Sequence, residues 1–165
     1  MKLDFFDEED YESLESFMRP IWHDTYSFLP KAQVEFLLKK YFSSAGISHF
    51  KNLGYKYLKI TDTDKVGVVV YCERDGVTYL DKLYLLPDSR GHGYPEFVFC
   101  ELLKLGRDIV LNVNRSNERA VACYKKNGFV IEKEEAIDLS GGMINRDYVM
   151  RLCKKNFYIM NSKAN

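Results

Sequence analysis

The stretch that most constrains this chain is Leu83-Tyr84-Leu85-Leu86-Pro87-Asp88-Ser89-Arg90-Gly91-His92-Gly93-Tyr94-Pro95. An apolar strand runs into a Pro/Asp/Ser turn, then a Gly-rich loop, then a helical pattern. Glycines let successive N–H groups turn inward, and a helix N-terminus adds partial positive charge. Arg90 brings a fork of donors to the rim. The stretch therefore reads as a phosphate cradle, although Gly-x-Gly between a strand and a helix is also simply a tight turn. It lacks the Gly-Lys-Ser/Thr end of a Walker loop and the third glycine of a dinucleotide fingerprint.

A length of 165 residues suits one domain, and 46% hydrophobic with 15% aromatic residues supplies a core. The expected division is a single domain over 1–153 with a polar tail, 154–165. A formal net charge of zero argues against a dedicated nucleic-acid or membrane-surface binder. No apolar run approaches the ~20 residues of a membrane span. The N-terminal Met-Lys-Leu-Asp-Phe-Phe-Asp-Glu-Glu-Asp is too acidic for a signal peptide. Cys72, Cys100, Cys123 and Cys153 form no Cys-x-x-Cys and read as reduced, packed thiols, which points to the cytoplasm. His23, His49 and His92 lack ligand spacing, so no metal is expected.

Residues 2–6 suit a short strand. Asp7 suits an N-cap, followed by acidic residues that complement the helix dipole or steer a cationic substrate. Leu14, Phe17, Met18, Ile21 and Trp22 keep helical period, and Pro30 suits the first turn of a second helix carrying Val34, Leu37, Leu38 and Tyr41. Residues 43–54 read as an irregular connection or a short helix. Strands over 55–60, 66–71 and 77–86 form a meander, with Arg74-Asp75-Gly76 as a hairpin turn. A helix runs from Tyr94 to Gly106, and a strand over 109–113 follows. This strand–helix–strand unit implies a parallel pairing. A helix over 116–127 and a strand pair over 129–138 and 148–153, across Ser140-Gly141-Gly142, close the chain.

Downstream of the loop stands Asn117-Glu118-Arg119-Ala120-Val121-Ala122-Cys123-Tyr124-Lys125-Lys126-Asn127-Gly128-Phe129. Arg-Gly-x-Gly after a Leu-Tyr-Leu-x-Pro strand, followed by Asn-x-x-Ala-x-x-x-Tyr-x-x-x-Gly-Phe, resembles the GNAT superfamily of acetyl-CoA-dependent acyltransferases. The likeness covers roughly residues 55–153. It implies an α/β (α+β) fold: a mixed, mostly antiparallel twisted sheet of about six to seven strands, about four flanking helices, and a splay between the fourth and fifth strands that takes the cofactor. The cofactor core would span about 55–135 and the acceptor-side helices about 7–54.

The resemblance assigns roles residue by residue. Acetyl-CoA is the implied co-substrate. Its pyrophosphate would lie on the N–H groups of Arg90, Gly91, His92, Gly93 and Tyr94, with His92 facing either phosphate or solvent. Pro95 departs from the family pattern and removes one N–H. Leu85 and Leu86 would meet pantetheine through their backbones. Asn117 would cap its helix or bond the cofactor, and Tyr124 would be the general acid, the alternative being a core tyrosine. Asp81 is a candidate base, or a surface partner of Lys82; Glu73 is a further candidate. Trp22, His23, Tyr26 and Phe28 are candidate substrate-wall residues or ordinary core aromatics.

The stretch Asp138 to Met150 loosely resembles the bacterial branch that includes polyamine N-acetyltransferases, which implies a small-molecule amine acceptor. Homodimers are common in the family. Two other readings stay open: a CoA-binding or sensing module without catalysis, motivated by Pro95, and a protein or peptide N-acetyltransferase.

Overall fold

The computed structural model describes residues 1–138 and 144–155. Along the chain run β1 (Lys2–Phe5), α1 (Tyr11–Thr25), α2 (Lys31–Phe42), α3 (Ser44–Asn52), β2 (Lys56–Thr61), β3 (Lys65–Arg74), β4 (Val77–Leu85), α4 (Tyr94–Leu103), β5 (Ile109–Asn114), α5 (Glu118–Lys126), β6 (Val130–Asp138) and β7 (Ile144–Leu152). The seven strands form one sheet in the order β1-β2-β3-β4-β5-β7-β6. It is mostly antiparallel, with a parallel pair at β4–β5 where Thr78 faces Ile109 and Tyr79 faces Val110.

The chain divides into two compact units, Met1–Cys72 with Lys82–Tyr94, and Glu73–Asp81 with Pro95 onward. In the first unit the apolar stripe of α1 (Leu14, Met18, Ile21, Trp22) packs with Val34, Leu38 and Phe42 of α2 and with Tyr57, Val68 and Val70 of the sheet. Burying each such side chain stabilises the fold by roughly 1.5–3 kcal/mol. In the second unit Phe99 of α4 lies 4.9 Å, centroid to centroid, from Phe129 and 6.1 Å from Tyr124. Among the described residues, no helix is long and apolar enough to cross a membrane.

Local chemistry sets the boundaries. Asp7 opens a short 3-10 turn, Glu8–Asp10, and its N–H donates to Asp10 Oδ2 at 3.3 Å. Residues 44–52 form a helix because Ser43 caps it, accepting from Gly46 N–H at 3.1 Å. Pro30 stands just before α2, at the cap rather than in the first turn. Asp75 (φ 51°) and Gly76 (φ 75°) make the β3–β4 hairpin, the two positive φ angles of a primed turn.

Among the described residues there are five α-helices, α3 occupying the segment expected as an irregular connection or a short helix. β7 begins at Ile144, four residues earlier than the expected Tyr148, and it lies between β5 and β6. As an interior strand it buries Val149, Met150 and Leu152. Ser140-Gly141-Gly142 and residues 156–165 of the tail lie outside the described residues.

Gly67 of β3 is a point of close approach. A Cβ there would stand 2.4 Å from the Tyr84 carbonyl oxygen and 2.8 Å from Leu85 Cδ2. Gly67→Ala is expected to destabilise the protein by about 1–3 kcal/mol through this overpacking, read as a lower urea midpoint at an unchanged slope.

Candidate functional site

Strand β4 hands the chain to a 3-10 turn, Pro87–Ser89, and then to the glycine loop. Gly91 (φ +83°) and Gly93 (φ +79°) both sit in the left-handed region, and nothing lies within 4 Å of where a Cβ would stand on either. The glycines are required by the backbone turn and not by crowding. Pro95 is the second residue of α4, where its ring suits the first turn. Tyr94 ties the loop to the β2–β3 turn by donating from its hydroxyl to Asp62 Oδ2 at 3.1 Å. Arg90 is engaged within its own unit: its Nη1 donates to Asp24 Oδ2, near the end of α1, at 2.7 Å. Leu86 is engaged on both sides of its backbone, donating to Val66 O at 2.9 Å and accepting from Ser89 N–H at 3.0 Å.

The four sequence-predicted wall residues separate. His23 and Tyr26 line a cavity of about 370 Å³ with Ser27, Leu29 and Lys31. Trp22 is 3% exposed and lies behind Tyr26, ring centroids 5.0 Å apart, packed also on Phe42 and Tyr84. It belongs to the core, as the apolar period of α1 demands. Phe28 is 75% exposed. The Tyr26 hydroxyl bonds that of Tyr84 at 2.7 Å. His23 Nε2 meets Glu35 Oε1 at 2.7 Å, and Arg19 Nε reaches Glu35 at 3.2 Å. His23 and then Arg19 hold the Glu35 carboxyl below the usual carboxylate range.

In the second unit Asn117 caps α5, its side chain accepting from Ala120 N–H at 3.2 Å. Two turns on, Tyr124 is half-buried, its ring 5.4 Å from Phe129 and 6.1 Å from Phe99. Cys123 beside it is pushed up in pKa by burial, which opposes a reactive thiolate. Glu73 is held by Arg107 at 2.5 Å. Asp81 is half-buried on β4.

A polar network escaped the sequence reading. Strand alternation puts Tyr79 and Asp81 of β4 on the sheet face that carries Asn112 and Asn114 of β5. The Tyr79 hydroxyl confirms it, donating to Asn112 Oδ1 at 3.3 Å. On β7 the same face carries Asn145 and Asp147, and Asp147 stands in register with Asn114 on one side and Glu135 of β6 on the other. Ser116 N–H donates to Asn114 Oδ1 at 2.8 Å, Asn114 Nδ2 to Asn145 Oδ1, and Asn145 Nδ2 to Asp147 Oδ1 at 2.8 Å.

Asp147 is only 8% exposed. Burial pushes its carboxyl up, and the neighbouring Glu135 charge adds to this. The fold thus favours protonated Asp147. That stabilising contribution is complete at low pH and fades as pH rises from the ordinary carboxylate range through the raised value. The one sequence signal was the polar alternation Asn112-x-Asn114 in an otherwise apolar strand.

The acetyltransferase (GNAT) family model matches residues 11–129. The chain belongs to this family, and it is an acetyltransferase. It is similar to the peptidyl-lysine N-acetyltransferase YjaB of Salmonella typhimurium, 28% identical over 117 residues, which are 70% of this chain and 72% of that protein. The protein of the same name from Escherichia coli is 34% identical over 74 residues, 43% of this chain and 50% of that one.

Among solved structures, the PaiA N-acetyltransferase of Thermoplasma acidophilum in complex with coenzyme A superposes with a TM-score of 0.72 at 22% identity, covering 92% of this chain and 98% of that one. Spermidine N-acetyltransferase of Vibrio cholerae, in complex with CoA and spermine, gives 0.69 at 18% identity, covering 95% and 97%. At these identities the two structures establish the fold.

Removing the α5 cap is a direct test of this geometry. Asn117→Ala is expected to cost about 1 kcal/mol of stability, and Asn117→Ser to restore most of it; chemical denaturation of the three proteins side by side reads the difference.

Proposed function

We propose that this protein transfers an acetyl group from acetyl-CoA to a primary amine of a small molecule, by direct attack of the amine on the thioester. The observation that carries the reading is the presence of two features in the one chain. One is a loop with two left-handed glycines at the start of α4. The other is an α5 capped by Asn117 and bearing a half-buried Tyr124.

The residues fit acetyl-CoA, which supplies an activated acyl group as a thioester. Backbone N–H groups from Arg90 to Tyr94 would receive the diphosphate, aided by the positive end of the α4 dipole. Pro95 offers no donor there. Arg90 would share its guanidinium between Asp24 and phosphate, which its five donors allow. Leu85 is the strand residue whose backbone would meet pantetheine, since Leu86 already bonds Val66 and Ser89.

Tyr124, a phenol protonated at neutral pH, would give its proton to the departing sulfur. Asp81 would take the proton of the attacking amine, which is mostly ammonium at pH 7. His23 and Tyr26 would form part of the acceptor wall. The similarity to YjaB favours a second reading, acetylation of a peptidyl lysine, which needs the same chemistry on the same alkylamine.

Free thiol release from acetyl-CoA across spermidine, amino acids and lysine peptides decides between these readings. Amine-dependent release above hydrolysis is expected, with a free amine preferred over the peptides. Tyr124→Phe should lower kcat by about a hundredfold or more while acetyl-CoA affinity, read by calorimetry, stays within a few fold. Full activity in Tyr124→Phe would remove its role as acid. Silence across the panel with acetyl-CoA still bound would point to a binding module.

A further inference from the structure

We infer that Asp147 is the anchor for a second, positively charged nitrogen of the amine acceptor, one that does not attack the thioester, held ready by the Asn114–Asn145 side-chain amides. The inference rests on the amine-acetylation reading and adds a specificity-determining residue to it.

Asp147 is more than nine-tenths buried, yet among the described residues no lysine, arginine or histidine is paired with it. The hydrogen bond its carboxylate receives comes from Asn145 Nδ2 to Oδ1, at 2.8 Å. Oδ2 receives none among the described residues. The charge that bears on it is the wrong sign: Glu135 stands directly across β6–β7. Glu135 is itself satisfied, by Lys133 at 2.6 Å and Asn112 Nδ2 at 3.1 Å, and these two hold its carboxyl below the usual range. Asp147 is thus a carboxylate that burial and its neighbour both disfavour, with a free acceptor atom.

The surroundings are built to hold that carboxylate in place. From Ser116 N–H through Asn114 and Asn145, each group donates to the next, and the last donor falls on Asp147 Oδ1. The chain begins one residue before Asn117, the cap of the helix that carries Tyr124. It runs along the C-terminal end of β5, and the carboxyl ends of parallel strands are where α/β sheets receive ligands. Asp81, the proposed base, shares this sheet face by strand alternation.

An alkylammonium placed on Oδ2 supplies the missing donor and the missing positive charge together. It also offsets the repulsion from Glu135. An uncharged acceptor does neither, so the site selects for a cationic nitrogen.

The test is Asp147→Asn in the full chain, which keeps the side-chain volume and the acceptor for Asn145. Four quantities are read at pH 7: melting temperature, acetyl-CoA affinity, and both KM and kcat for spermidine and for n-butylamine. The expected result is an equal or higher melting temperature, unchanged acetyl-CoA affinity, and KM for spermidine raised about tenfold or more with a smaller change in kcat, while KM for n-butylamine, which has no second nitrogen, changes little. An unchanged KM for spermidine overturns the inference. So does a lower melting temperature, since that marks Asp147 as a structural support.

If the wild-type chain releases no thiol with any amine, the acetyl-transfer reading fails, and thermal shift by n-butylammonium still decides Asp147. A wild-type shift that Asp147→Asn lacks upholds the anchor, and no wild-type shift, or an equal one in both proteins, overturns it.

Discussion

Strands β4 and β5 run parallel, and the candidate chemistry follows from that pairing. Neighbouring antiparallel strands need only a hairpin, as Asp75-Gly76 supplies between β3 and β4. Parallel neighbours need a crossover, because the chain must return to the starting end before it can pair. Here the crossover holds the 3-10 turn, the glycine loop and α4. A helix is thereby obliged to begin just beyond the end of β4, with its unbonded N–H groups at that point. The pairing is brief, two register pairs at Thr78–Ile109 and Tyr79–Val110, while β4 runs on to Leu85 and β5 to Asn114.

What the sequence disclosed was what short-range chemistry controls. The Asp-Gly turn, the cap at Asn117, the glycine pair in the loop and the apolar stripe of α1 each depend on residues within one or two turns. So does the alternation that separates β2, β3 and β4. The position of β7 was hidden because nothing local distinguishes an interior strand from a rim strand when both alternate. Register with two partners decides it, and those partners lie up to tens of residues away. Asp147 was hidden for the same reason, since its neighbours Asn114 and Glu135 come from two other strands. Trp22 and Tyr26 show the limit of helical period as a guide. They are four residues apart on one face, yet one is buried against Phe42 while the other borders the cavity.

The ionic arrangement sorts the carboxylates by what they are free to do. On the α1–α2 side Glu15 and Glu35 are held by Arg19, Glu35 also by His23, and Asp24 by Arg90. These pairs keep partial solvent access, so each contributes little to stability. They do occupy the carboxylates there. The cavity beside them is lined by Lys31 and His23 and by no acidic side chain. A buried carboxylate with no cationic partner among the described residues, Asp147, stands on the sheet face of β5 and β7.

Pro95 then has a physical reading that does not require a broken loop. The second residue of a helix has no intrahelical use for its N–H, so the substitution sacrifices a donor that only a ligand would have engaged. In exchange its fixed φ holds the first turn of α4 in helical geometry, in a segment where two adjoining glycines otherwise maximise backbone freedom. A donor removed weakens anion contact, whereas a first turn already ordered lowers the entropy that binding must overcome. The two effects oppose each other, and in the proposed site Arg90, with donors to spare beyond its bond to Asp24, would make up a missing N–H.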